Sequence, residues 1–340
     1  LNRRIVIPTA AGVVALVIAL VVATQVASKP RHSSLGRATP PAAASSGPDS
    51  RLSEASPAPQ SASPKPKTTQ STGPKPAPHG ACAPYPSFPD AGCTGPTGVL
   101  KPYTGSMTIS KRGQVIQDVE IRTSQITVDA DNVTFRNCRI IYTGGLNDVP
   151  SLVEANAHTG TMFDHCEIDG KGKVARGIHG GDFFTVRNCN IHDTGNGVEA
   201  DANFTVAESY IWNIYTPDGM DWHSDGVQGW GNAKNVTVDH NTILLTGDQT
   251  GAVDMVGTGD PTYTQSNILV QHNLLAGGGY TIYLGASSNT NVRVLNNHLS
   301  TRYSKKVGIY NIWYPDFMQT ITRVGNVIQE TGASANDNLS

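Results

Sequence analysis

The sequence predicts an all-β solenoid of stacked parallel strands, on three observations. A nine-residue pattern, Asn-Val-Thr-Phe-Arg-Asn-Cys-Arg-Ile at 132–140, recurs whole or shortened at 161–168, 184–191, 204–211, 235–243, 267–275, 291–299 and 320–328. Within a copy the apolar residues fall on positions 2 and 4, then on 7 and 9, so strand alternation changes phase between positions 5 and 6. The spacing of copies, 20 to 32 residues, and their β-branched content suit about eight stacked coils better than a helical repeat.

The segments before the repeats come first in the chain. Residues 5–23 are almost wholly apolar and follow Arg3 and Arg4, which predicts a signal anchor or a cleavable signal peptide over 1–27. Either reading exports the rest, as a secreted protein or one held to the membrane by an uncleaved N-terminal helix. Residues 28–80 carry eleven prolines, and the first aromatic residue of the chain is Tyr85, so this stretch is predicted to be a disordered linker. The β domain is expected over 81–340. It holds 25 acidic against 16 basic residues, which argues against nucleic acid as a partner. A monomer is expected.

Five cysteines fall in this domain. Cys82 and Cys93 bracket a short Pro-rich loop and are expected to pair as a disulfide. Cys138, Cys166 and Cys189 occupy position 7 of successive copies, followed there by Ser209, Asn241, Asn273, Asn297 and Asn326. Stacking at roughly 4.8 Å would turn these into one buried column of thiols and hydrogen-bonded amides. Val133 and Phe135 should point inward on one side of the corner, and Cys138 and Ile140 on the next.

A second register precedes each copy: 152–154, 177–179, 197–199, 226–228, 252–254, 281–283 and 308–310, each with Val or Ile in the middle. If the middle residue faces inward, its follower faces outward, giving a column of Glu154, His179, Glu199, Gln228, Asp254, Tyr283 and Tyr310. The preceding residues, mostly Gly or Ala, are expected to leave room for a ligand against the backbone. Two long intervals place extra residues at 215–225 and 257–266, on either side of the same sheet, where they could wall a cleft.

Candidate chemistry lies on that sheet. The segment 221–228 brings His223, Asp225 and Gln228 together, with Glu199 and Asp254 one coil away on either side. These five are the candidate catalytic residues, because close carboxyls raise one another's pKa and an imidazole adds a proton acceptor. His179, Trp222, Trp230, Tyr280 and Tyr283 are candidate substrate-binding residues, flat faces on which pyranose rings stack. No cofactor is required, although Asp225, Glu199 and Asp201 could offer hard oxygens to Ca²⁺.

The chain resembles right-handed parallel β-helix proteins of the pectate-lyase-like superfamily. More narrowly it is similar to secreted actinobacterial β-helix proteins that open with Phe-Pro-Asp-Ala-x-x-Thr-Gly, here 88–95, and carry His-x-Asp-Gly-Val/Ile-Gln, here 223–228. The resemblance covers about 88–328 and implies an extracellular polysaccharide-active protein. It would cleave or modify a polysaccharide, uronic-acid-containing polymers included, as a lyase or a glycoside hydrolase; the alternative is a non-catalytic glycan-binding or adhesion module. Polygalacturonase-like hydrolases carry Asn-Thr-Asp-Gly-x-Asp where this chain has 223–228, which would make Asp225 catalytic. Their next acidic position aligns with Gly251 and their Gly-His-Gly with 278–280, so their mechanism does not carry over.

Overall fold

Position 6 of the repeat is where each coil turns. The computed structural model describes residues 80–230, 232–246, 250–256 and 262–340. In it Asp118, Asn137, His165, Asn188, Glu208, His240, His272, Asn296 and Gly325 all hold left-handed φ between 51° and 70°. Asn and Asp tolerate this region best among residues with a side chain, and here Asp118, Asn137, Asn188 and Asn296 occupy it, with Gly325 and with His or Glu at the remaining coils. A second left-handed column opens the repeat at Gly113, Asn132, Gly160, Phe183, Asn203, Asn235, Asn267 and Asn291. Exposed amides tie part of that column together: Asn291 donates to Asn267, Asn267 to Asn235 and Asn235 to Asn203, at 2.7–3.1 Å.

Between these bends the chain forms three all-parallel sheets among the described residues. Sheet III contains Thr134–Arg136 and its repeats, sheet I contains Arg139–Tyr142, and sheet II contains Ser151–Glu154. Each coil runs through III, I and II in turn. Phe135 pairs with Phe163, Phe163 with Val186, and Val186 with Val206, so like positions stack on like. Val133, Phe135, Cys138 and Ile140 are fully buried, as the alternation requires. The Phe135 and Phe163 rings lie parallel, with centroids 4.9 Å apart.

Position 7 forms the predicted column. Asn241 Nδ2 donates to Asn273 Oδ1 at 3.0 Å, Asn273 to Asn297 at 2.9 Å and Asn297 to Asn326 at 2.9 Å. Each of these amides also donates to a position-4 carbonyl in the preceding coil: Asn241 to Val206, Asn273 to Val238 and Asn297 to Val270. Cys166 N lies 3.4 Å from Cys189 Sγ, and all three thiols of the column are buried and unbridged. Cys82 and Cys93 form the expected disulfide.

Two features go beyond the sequence reading. Strands Val115–Gln117 and Val119–Thr123 add a complete turn before the first recognised copy, and Lys101–Pro102 pairs beyond it. This turn escapes the pattern because Val119 stands at position 7 and Gln114 at position 2. The segment 85–97 is not a coil but a strap along the corner of sheets III and I. Ser87 O accepts from His240 Nε2 at 2.8 Å, Tyr85 packs on His272, and Thr97 N donates to Asn137. The predicted segment 1–27, and the predicted linker 28–80 except its last residue, lie outside the described residues. Among those described, no helix is long and apolar enough to cross a membrane.

The ladder yields a direct test. Asn273→Leu strips partners from the Asn241 backbone N–H and side-chain amide and from the Val238 carbonyl, all in a dry interior. We expect a loss on the order of 3 kcal/mol in denaturant unfolding, from several buried groups left unpaired. A loss under about 0.5 kcal/mol would show that the amides are not bonded.

Candidate active site

The outward column of sheet II is in the expected register as far as Tyr283. Glu154 pairs with His179, His179 with Glu199, Glu199 with Gln228, Gln228 with Asp254 and Asp254 with Tyr283. Val153, Ile178, Val198, Val227, Val253 and Ile282 point into the core. Beyond Tyr283 the register departs from expectation, because Ile282 pairs with Trp313. The outward residue there is therefore Tyr314, whose ring stacks on Tyr283 at 5.0 Å, and Tyr310 is a turn residue 63% exposed. The 308–310 triplet imitates the pattern, but Gly308 is drawn against the Gly279 backbone, and the apolar face belongs to Ile312 and Trp313.

The glycine column does not open the backbone to a ligand. A Cβ at Gly197 would lie 2.6 Å from Gly226 O and 2.7 Å from Ile211 Cγ2, and one at Gly226 2.2 Å from Ile243 Cγ2. The missing side chains admit the core of the neighbouring coil instead, so the column serves packing.

One position further back lies a network that the sequence reading overlooked. Asn196, buried, donates to Glu199 Oε2 at 2.9 Å and to Gln228 Oε1 at 2.5 Å, and its Oδ1 accepts from Asp225 N at 2.9 Å. Its signal was present: Asn196-Gly197-Val198-Glu199 parallels Asp225-Gly226-Val227-Gln228. Arg176 occupies the same position one coil earlier, and its Nε donates to Glu199 Oε2. His179 Nδ1 lies 2.8 Å from Glu154 Oε1. Burial would raise the Glu154 carboxyl, but the bond and charge of His179, with Ser151 and Arg176, hold it below the usual range.

Asp225 and Asp254 behave oppositely. Asp225 is fully buried; its Oδ1 accepts from Gly251 N at 2.9 Å, and its Oδ2 has no hydrogen-bond partner. Burial, then the neighbouring Asp254 and Glu199, push its carboxyl well above the usual range, against the Gly251 bond. Burial pushes Asp254 up to about 7, against the Val256 N–H that bonds its Oδ1. Among the described residues neither carboxyl has a cation beside it, which distinguishes this pair from Glu154 and Glu199.

The other candidates separate. His223 is exposed ahead of strand Asp225–Gln228 and makes no hydrogen bond or ion pair among the described residues. Trp222 packs over Gly195, one coil below. Trp230 is exposed beyond the far end of the strand. Part of the second insertion, 257–261, lies outside the described residues. Asp201 stands five residues along the strand direction from the level of Asp225, about 16 Å at strand rise, so Asp225, Glu199 and Asp201 do not make the single Ca²⁺ cage suggested by the sequence. On sheet I, Glu167, Asp169 and His192 are close enough to share an ion. Burial lowers His192, but Asp193, Glu167 and Asp169 outweigh it and push it up to about 9, so an ion held there would have to displace the imidazole proton.

Tyr280, Tyr283, Tyr310 and Tyr314 cluster next to Asp254, with ring centroids 5.0–5.7 Å apart. The site is thus a row of paired charges, then two cation-free carboxyls, then an aromatic platform.

Three parallel sheets in this order, with left-handed corners and in-register columns, make the chain a right-handed parallel β-helix protein. The family described as right handed beta helix region matches over residues 151–316. Among solved structures, the catalytic domain of GH87 alpha-1,3-glucanase in complex with nigerose is similar at 16% identity and a TM-score of 0.33, covering 64% of this chain and 55% of that one. The chain spans little more than half the length of that structure. No curated protein matches.

The Asp254 carboxyl makes stability depend on pH. An unfolded Asp titrates near 3.9, whereas the folded one holds its proton to about 7, so its contribution is complete below about pH 4 and lost as pH rises through about 7. Asp254→Asn should therefore lose less stability than the native chain between pH 4 and pH 8, by on the order of a few kcal/mol in urea unfolding. Parallel pH profiles would show that the carboxyl is not buried as described.

Proposed function

We propose that the protein is an exported polysaccharide hydrolase whose glycan lies along sheet II, with Asp254 as general acid. The observation that carries this reading is the cation-free pair Asp225 and Asp254 beside the tyrosine platform. A carboxyl that titrates near the working pH is suited to donate a proton to a leaving glycosidic oxygen. Asp254 is the more open of the two and borders Tyr283. Burial is what keeps the Asp254 proton in place, and Asp225, fully buried one coil away, holds its own proton as well.

Glu199 supplies the complementary carboxylate. Arg176 and Asn196 both donate to its Oε2, which fixes it as an acceptor. It stands two strand spacings from Asp254, about 9.6 Å at the backbone, with Gln228 between. That leaves room for a water between the two carboxyls, the arrangement of inverting glycosidases. Asp254 would protonate the leaving oxygen while Glu199 takes the proton of a water adding to the anomeric carbon. Gln228 and Asn196 are positioning residues, and Tyr280, Tyr283 and Tyr314 stack sugar rings. Elimination is less well served, since His223 has no partner to orient it as a base. Export rests on the apolar run and Pro-rich spacer of residues 1–80.

The full chain should release new reducing ends from at least one soluble polysaccharide without the ultraviolet absorbance of unsaturated uronates. Turnover should fall as pH rises through about 7, because the acid must be protonated. Asp254→Asn should lose at least ~100-fold in turnover while keeping its melting temperature at pH 5. Glycan binding with no cleavage across neutral and charged substrates would replace this reading with that of a binding module.

A further inference from the structure

The charge on sheet II narrows the class of glycan. Among the described residues Arg176 on this face is already bound to Glu199, and the His179 imidazole is bound to Glu154. No cationic side chain of the described residues is paired with Asp225 or Asp254. Toward sheet III the strand ends run into a cavity of about 260 Å³ lined in part by Asp131, Asp182 and Asp201. His158 is the one basic group lining it, and its two ring nitrogens face Asp131 and Asp129. The exposed Lys173, Lys305 and Lys306 lie in turns between sheets I and II and not on the strands. At the opposite end the tyrosine platform offers ring faces and hydroxyls without charge.

A polyanion laid along this face would meet net negative charge at the cavity, closed side-chain pairs in the middle and, at the centre, two carboxyls with no cation to offer it. To gain the Arg176 guanidinium it would have to break its bond to the buried Glu199, leaving that carboxyl without its cation. An uncharged sugar chain meets none of these penalties. It can stack on Tyr283 and Tyr314 and accept or donate hydrogen bonds at Gln228.

We infer that the glycan bound along sheet II is neutral, carrying neither carboxylate nor sulfate on the residues between Glu199 and Tyr314. This rests on the polysaccharide reading above. The test uses the full chain and matched neutral hexose oligosaccharides, each compared by calorimetry with the same oligosaccharide oxidised at C6 to the uronate. The neutral member of a bound pair should bind at least ~10-fold more tightly at low salt, and 0.5 M NaCl should narrow the gap. Equal or tighter binding of the uronate would overturn the inference and leave a polysaccharide protein of the opposite preference. Binding of neither member, in any pair, would overturn the polysaccharide reading itself.

Discussion

In-register stacking at one strand spacing is the constraint on which the rest of the structure depends. Each side chain has its equivalent in the next coil as its nearest neighbour, so whatever suits one coil must suit a column. Apolar residues meet this easily, as in the run from Phe135 through Val206. Buried polar residues meet it only if they can both donate and accept. Asparagine does both, which is why Asn241, Asn273, Asn297 and Asn326 can be dry without cost to one another.

The same constraint sets the chemistry of sheet II. A carboxylate column would repel itself, and the chain resolves the conflict in two ways. Glu154 and Glu199 receive His179 and Arg176 as partners, and the Glu154 carboxyl is held below the usual range. Asp225 and Asp254 have no cation beside them among the described residues, so burial favours both protons, and the charge of Asp254 adds to the effect at Asp225. The acid of the proposed mechanism thus arises from stacking two carboxyls without a counterion, and the platform of Tyr280, Tyr283 and Tyr314 begins one coil further on.

Much of the fold was legible because a solenoid writes its contacts into sequence spacing. The phase change at positions 5 and 6 located the corner, and the left-handed φ at position 6 gives its cause. The position-7 ladder and the column from Glu154 to Tyr283 followed from the same alignment. What failed did so where geometry departs from spacing. Tyr310 was misplaced because a longer turn imitates the triplet, and the strand resumes at Asn311–Trp313. The glycines were misread because a missing side chain does not say which side needs the room, and the core does. His223, Asp225 and Gln228 are adjacent in sequence, yet only Asp225 and Gln228 are held by the strand, while Asn196 joins them from the coil below.

The central claim is that sheet II binds a glycan along the helix axis, with Asp254 at the scissile bond and a sugar ring on Tyr283 and Tyr314. A crystal structure of Asp254→Asn soaked with a neutral oligosaccharide that the native chain cleaves tests this most directly. The account predicts density running from Gln228 to Tyr314, with a pyranose ring parallel to the Tyr283 face and a glycosidic oxygen within about 3 Å of the residue 254 side chain. Density confined to another face, or a glycan on sheet II with no bond near residue 254, would contradict it.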